Sequence, residues 1–242
     1  LLSLVFVKKP GRIAGENAMR RGEICAVDFL SVGQGDCSVI RTKNQSTYVI
    51  DCGSSTVKDV GEYRLEPWLK YHGISKLEAV FLSHPDSDHT NGVVELLENM
   101  NASDDWYRGE IQIKNLVLPA AFRKESENLM NLGSEWDEDK DISDRGSQSA
   151  GFANVIRLAH EKKIPILWYK PGDEVKEEGI SFVCLHPKED YPVQDTNEAS
   201  MVLCLESENA SVVFTGDVGK PGEERMIKKM KQYRNKEAQQ EM

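Results

Sequence analysis

The chain has 242 residues, room for one large domain or two small ones at roughly 150 residues per domain. Hydrophobic residues make up 39% and charged residues 29%, which excludes fibrous and disordered classes. A formal charge of −10 excludes passive gripping of nucleic acid by a basic surface, because such binding needs Lys and Arg to neutralise phosphates. It leaves room for an enzyme that meets nucleic acid through a cation, since carboxylates would then hold the metal.

In chain order, residues 1–22 read as a leader or linker ending in Arg20-Arg21-Gly22. The apolar run Leu1–Val7, closed by Lys8-Lys9, fits two readings: a first strand or leader, or the tail of a membrane helix. Residues 23–242 read as the folded domain. No segment reaches the ~20 apolar residues that span a bilayer. Short β-rich runs follow at 24–30, 37–42 and 47–51, with Gly33, Gly35 and Asn44 at the turns. An amphipathic helix is predicted over 63–71, closed by Gly73, then a buried strand over 77–82 and a helix over 93–100. A strand over 115–118 precedes a polar stretch from 123 to 148. Within it, 135–144 carries six acidic residues and one lysine, the composition of a solvated loop. A helix over 150–162, strands over 164–169, 180–185, 201–205 and 211–214, and a basic helix over 221–234 complete an α/β alternation. The five cysteines form no C-x-x-C pair and sit mostly in apolar runs, as small buried hydrophobes do.

The densest chemistry lies in Leu82-Ser83-His84-Pro85-Asp86-Ser87-Asp88-His89-Thr90-Asn91-Gly92. Two of the five histidines fall within six residues, interleaved with two aspartates, between a buried strand and a helix. Imidazole and carboxylate are ligands for divalent first-row metals. A polar N-cap loop would need one such residue, not four. A helix starting there would also aim its N-terminal N–H groups at an anion such as phosphate.

These residues resemble the second motif of the metallo-β-lactamase superfamily, H-x-H-x-D-H, in the form H-x-D-x-D-H. The resemblance implies that His84 and Asp86 bind one metal, and that Asp88 and His89 bind the second. Val49-Ile50-Asp51-Cys52-Gly53 resembles the D-x-G strand end, whose aspartate orients a metal-ligating histidine. Val213-Phe214-Thr215-Gly216-Asp217 resembles the T-G-D strand end, whose aspartate bridges the two metals. Ser31-Val32-Gly33-Gln34-Gly35-Asp36 resembles the V-G-Q-G-D turn of one branch, the C-terminal domain of ComEC-type competence proteins, which are membrane channels of DNA uptake. The implied fold is the four-layer αββα sandwich, here lacking part of its C-terminal half.

By the same resemblance, Asp88, Asp217, Asp51 and Asp36 serve catalysis, and Asn197 and Ser200 stand where substrate would be met. The implied cofactors are two divalent cations. Asp86 in place of a histidine hardens the site, favouring manganese over zinc. The implied activity is hydrolysis of single-stranded DNA, the strand not imported, beside an upstream membrane channel domain. That places the domain on the extracytoplasmic face of the cell membrane and favours a helix tail at Leu1–Val7, although the flanking Lys and Arg favour the cytoplasmic side. A hydrolase of another phosphodiester or small ester, and an inactive binding module, are the competing readings.

Several departures stand out. No histidine occurs in Asp195-Thr196-Asn197-Glu198-Ala199-Ser200, where many members carry a third ligand. His186 is expected to be packed or hydrogen-bonded. Asn91-Gly92 replaces Gly-Gly, asparagine tolerating the same left-handed turn. The final His-His-Gly-Ser-like strand end has no counterpart between Asp217 and Met242, which fits either a sequence cut short of that motif or a copy that has lost a ligand, and leaves the second cation site open. The basic Lys228-Lys229-Met230-Lys231 with Arg234 fits a solvated helix face better than a DNA contact.

Overall fold

The computed structural model describes residues 5–6, 24–100, 111–132, 150–207, 210–224 and 226–227. Its first half is one six-stranded sheet. Strands β2 (Cys25–Phe29), β3 (Cys37–Thr42) and β4 (Thr47–Cys52) form an antiparallel meander, and β6 (Ala79–Phe81), β8 (Leu116–Pro119) and β9 (Ile166–Tyr169) extend it in parallel. Parallel neighbours need crossovers. A wide helical turn (Gly61–Leu65) running into α1 (Glu66–Tyr71) serves the first crossover and α2 (Ser87–Asn99) the second, while α3 (Arg123–Leu132) and α4 (Ala150–Glu161) lie between β8 and β9. A two-residue parallel bridge joins β5 (Lys76–Leu77) to β7 (Gln112–Ile113).

The second sheet is antiparallel throughout, in the order β1 (Val5–Phe6), β13 (Ser211–Phe214), β12 (Val202–Ser207), β11 (Ile180–His186), β10 (Glu174–Glu177). Val5–Phe6 is therefore an edge strand; the rest of 1–23 lies outside the described residues.

Side-chain alternation stacks the layers. In β4, Tyr48 and Ile50 face the second sheet, packing with Phe81, Phe182 and Phe214, while Val49 faces the helices. Tyr48 and Phe182 rings lie 4.8 Å apart, a spacing that adds roughly 0.5–1.5 kcal/mol beyond area burial. On the helix side, Val93, Leu96 and Leu97 of α2 meet Phe152, Val155 and Ile156 of α4 over β3, β4 and β8. A third, smaller cluster of Leu185, Val202, Cys204, Val213 and Val218 coats the outer face of the second sheet, under the helical turn at 220–224.

The register of the meander shifts at one place that matters. Cys37 pairs with Cys52 but Ser38 with Ile50, which leaves Asp51 as the extra residue of a β-bulge, with φ of 54°. The left-handed backbone breaks the alternation, so Cys52 joins Val49 on the helix side. Asp51 is thereby re-aimed past the strand end.

Four expectations need correction. The helix expected over 93–100 starts at Ser87, inside the polar motif, because its buried positions (His89, Thr90, Val93, Leu96, Leu97) already follow helical spacing from the motif onward. Asn91 consequently takes no left-handed turn. It is helical and clamps Ser54, donating from Nδ2 to the Ser54 carbonyl (2.8 Å) and accepting the Ser54 N–H at Oδ1 (3.0 Å). The stretch from 123 opens as α3 rather than loop, although 133–149, including the acidic run, lies outside the described residues. The hairpin strand β10 was missed because its residues are mostly polar and alternate between exposed and half-exposed at a sheet edge. Of the basic helix over 221–234, residues 228–234 lie outside the described part.

Cys37, Cys52, Cys184 and Cys204 are buried, and burial together with the nearby Glu206 pushes the Cys204 thiol up to about 12. Because the thiolate is the reactive form, iodoacetamide at pH 8 is expected to modify these four only after unfolding. Rapid labelling of Cys204 in the native protein would contradict the packing.

Candidate metal centre

Three strand ends deliver the site. β4 carries Asp51 one residue before its end, β6 leads into Ser83-His84, and β13 leads into Thr215-Gly216-Asp217. His89 comes from the first turns of α2. His84, His89 and Asp217 converge: a ligand atom from each lies within 4.8 Å of the others. His89 Nε2 stands 3.5 Å from Asp217 Oδ1, and the two imidazole rings are 4.1 Å apart. Gly216 makes this approach possible, since a Cβ there would sit 2.8 Å from Ser83 Cβ. The Asp217 N–H donates to Ser200 Oγ at 3.3 Å.

Asp51 organises both histidines. It is 2% exposed and accepts three hydrogen bonds: from Ser83 N–H at Oδ1 (2.7 Å), from Ser83 Oγ at Oδ2 (2.7 Å) and from His89 Nδ1 at Oδ2 (3.0 Å). Ser83 Oγ, having given its proton to Asp51, accepts from His84 Nδ1 at 2.9 Å. Both rings are thus fixed with hydrogen on Nδ1. One carboxylate sets both tautomers, directly for His89 and through Ser83 for His84, the arrangement by which outer partners prepare imidazole ligands.

That tautomer leaves the Nε2 lone pair of His84 with no hydrogen-bond partner in a residue that is 0% exposed. Burial, and then the neighbouring His89, lower the His84 pKa, so the lone pair stays unprotonated. His89 differs. Burial opposes its charge, but Asp217 and Asp51 outweigh it and push its pKa up to about 11. Asp217 is in turn held below the usual carboxylate range by His89, against the effect of burial. A buried acceptor without a donor is costly. An unpartnered nitrogen facing a second imidazole and a carboxylate is the donor set of a divalent cation, and the residues fit one.

The remaining expected ligands are placed less centrally. Asp86 stands outside the triad, with Oδ2 3.7 Å from His84 Nε2. Asp88, half-exposed in the first turn of α2, contributes its carboxylate to neither candidate group. Asp36 belongs to the second group, with Asp51 and His89, its Oδ2 4.0 Å from His89 Nδ1. Burial and Asp51 raise its pKa. Because Asp51 already accepts three hydrogen bonds there, this second group is satisfied without an ion. Ser200, expected to meet substrate, is fully buried and holds Asp217 instead. Asn197 is half-exposed, with Oδ1 buried and unpaired. His186 is buried, its Nε2 against the Glu198 carbonyl at 2.9 Å, as a packed histidine should be. Ser83 and Thr196 were missed. Ser83 precedes the motif as an ordinary strand-end serine, and only three-dimensional proximity reveals its relay.

Residues 30–241 match the family described as the metallo-beta-lactamase superfamily, and the chain belongs to it. Its two facing sheets with helices packed outside are the metallo-beta-lactamase fold. The chain is 27% identical over 214 residues to ComE operon protein 3 of Bacillus subtilis (strain 168), covering 83% of this chain and 23% of that protein. Among solved structures, it resembles a Cronobacter sakazakii metallo-beta-lactamase with a HARLDQ motif, at 12% identity over 81% of this chain and 61% of that one (TM-score 0.45). It also resembles the metallo-beta-lactamase fold protein YhfI of Bacillus subtilis, at 13% identity over 79% and 58% (TM-score 0.40). A third likeness is CmlA, a diiron beta-hydroxylase of Streptomyces venezuelae, at 12% identity over 79% and 29% (TM-score 0.41). No helix among the described residues is long and apolar enough to cross a membrane.

Proposed function

We propose that this chain is a metal-dependent nuclease domain of a DNA-uptake protein, hydrolysing phosphodiester bonds of the strand that is not imported. The observation that carries the reading is the buried, unpartnered Nε2 of His84 in a residue that gathers with His89 and Asp217. Similarity to ComE operon protein 3 supports DNA as the substrate and a membrane channel as the neighbour. The same similarity supports attachment at the cell membrane, and we place this domain on its extracytoplasmic face.

His84, His89 and Asp217 would hold the first cation, with Asp86, 3.7 Å from His84 Nε2, as a further carboxylate and Asp88 assigned to the second cation. A bound divalent cation supplies Lewis acidity toward a phosphoryl oxygen. Oxygen-rich surroundings favour manganese over zinc. Everything else is done by the chain. Asp51 and Ser83 hold a hydrogen on Nδ1 of both imidazoles, so that His84 Nε2 is free and His89 has only its Nε2 proton to give up to a cation. Ser200 anchors the backbone of Asp217, and the first turn of α2 would offer its positive end to the phosphate. Asp36, with its raised carboxyl, sits at the solvent side for proton exchange. With an overall charge of −10 and carboxylates of Asp36, Asp86 and Asp217 around the site, substrate capture would depend on the bound cations together with the helix end.

The test is incubation of the full chain with end-labelled single-stranded DNA and manganese. Cleavage is expected, abolished by EDTA and by His84→Ala. Intact DNA with the manganese-loaded protein would overturn the reading, and hydrolysis of bis(p-nitrophenyl) phosphate alongside intact DNA would move it to small phosphodiesters.

A further inference from the structure

Asp86 sits at the N-cap of α2 with extended backbone (φ −65°, ψ 146°), the position where an aspartate ordinarily accepts from the helix's first N–H groups. It does not: no side-chain capping bond forms there. Its carboxylate is diverted instead. Oδ1 accepts a hydrogen bond of 2.9 Å from the hydroxyl of Thr196, 110 residues along the chain in the loop between β11 and β12. With Oδ1 so held, Oδ2 points to the unpartnered His84 Nε2 at 3.7 Å. Two donors on one tetrahedral cation, each ~2.1 Å from it, stand about 3.4 Å apart. The Asp86–His84 spacing is close to that figure, as is the 3.5 Å between His89 Nε2 and Asp217 Oδ1. Asp86 forms no group within 4.8 Å with His84 and either of the other two, so its oxygen has to swing inward as the cation binds.

The loop that carries Thr196 is itself pinned. Asp195 Oδ1 accepts from the Glu198 N–H at 3.3 Å, the Ala199 and Ser200 N–H groups bond back to the Asp195 and Asn197 carbonyls, and Met201 N–H donates to the Ser83 carbonyl at 2.7 Å. The hydroxyl therefore reaches Asp86 from a fixed base on the second half of the fold. We propose that Thr196 is a positioning residue, whose hydroxyl holds the Asp86 carboxylate so that its other oxygen completes the cation site of His84, His89 and Asp217. The lost capping bond is the cost of that diversion. This assignment rests on the cation-binding reading of the triad.

Cobalt(II) titration of the full chain, followed by calorimetry and by the visible ligand-field spectrum, tests it. Wild type is expected to bind through the site, with uptake lost in His84→Ala. Thr196→Val, which keeps the shape but removes the hydroxyl, should weaken binding by about tenfold or more and alter the spectrum. Thr196→Ser should restore both. In an Asp86→Ala background, Thr196→Val should change nothing further. Equal binding by Thr196→Val and wild type overturns the proposal, and so does the same loss with or without Asp86. Should Thr196→Val not fold, Thr196→Ala enters the same cycle. If wild type takes up no cobalt through His84, the cation-binding reading itself fails, and the role of Thr196 with it.

Discussion

Asp51→Asn is expected to lower divalent-cation affinity by about 10–100-fold while the protein stays folded. The backbone tolerates the change, since asparagine is among the residues that accept a left-handed φ such as the 54° found here. The chemistry does not. The substituted amide would keep one acceptor oxygen for the Ser83 N–H but would place a donor NH₂ where Oδ2 now accepts from Ser83 Oγ and His89 Nδ1. Donors would then face donors, and His89 could relieve the clash by giving up its Nδ1 hydrogen and keeping the one on Nε2, which blocks the very atom that should bind metal. Losing a charge-assisted bond of this kind costs about 1.5–3 kcal/mol. Asp51→Ala should be worse. It leaves three buried donors unpaired and places alanine at a positive φ, so its expected effect is on stability as well as on affinity. Calorimetric titration with manganese, beside thermal melting, separates the two variants. Unchanged affinity in Asp51→Asn would mean that the carboxylate does not set the imidazole tautomers.

Much of this centre was legible in the residues themselves. His84, His89, Asp51 and Asp217 were each marked by a strand-ending motif, and strand ends are where an α/β sheet gathers its polar side chains. What could not be read was which carboxylates turn inward. Asp86 and Asp88 look equivalent in the sequence. In the fold, one is held by a hydroxyl from a distant loop, and the other stands in the first helical turn away from the triad. The bulge at Asp51 was equally hidden, because it exists only in the pairing of β4 with β3. The start of α2 was misjudged for a related reason. Its first turns carry Asp, His, Thr and Asn, which interrupts the apolar pattern from which helices are recognised. The strand runs were read more faithfully, since Val, Ile, Leu and Phe at alternating positions report the two buried faces directly. Edge elements such as β10 lack that signal.

The second large effect is expected at Gly53. The V-G-Q-G-D turn, the D-C-G strand end and the start of α2 cross there almost backbone to backbone. Gly53 N–H donates to the Asp36 carbonyl at 3.1 Å, and Asp36 N–H to the Asp88 carbonyl at 3.3 Å. A Cβ on Gly53 would lie 2.4 Å from the Asp88 carbonyl carbon and 2.5 Å from His89 N, and one on Gly35 would lie 2.3 Å from the Gly53 oxygen. These are main-chain atoms, which cannot rotate away. Gly53→Ala must therefore push α2 outward and carry His89 from Asp217. Overpacking of this kind costs about 1–3 kcal/mol or more, and each kcal/mol is worth about 2–4 °C in a chain of this size. Gly73→Ala is the matched control. Gly73 has a φ of 69° but open space around its Cβ position, so alanine there meets strain without collision, costing on the order of 1 kcal/mol. Both variants should melt earlier than wild type. Only Gly53→Ala should also lose cation affinity, because only there does the displaced backbone carry a residue of the candidate triad. Equal cation affinity in the two variants would show that the crossing of the three segments does not hold His89 in place.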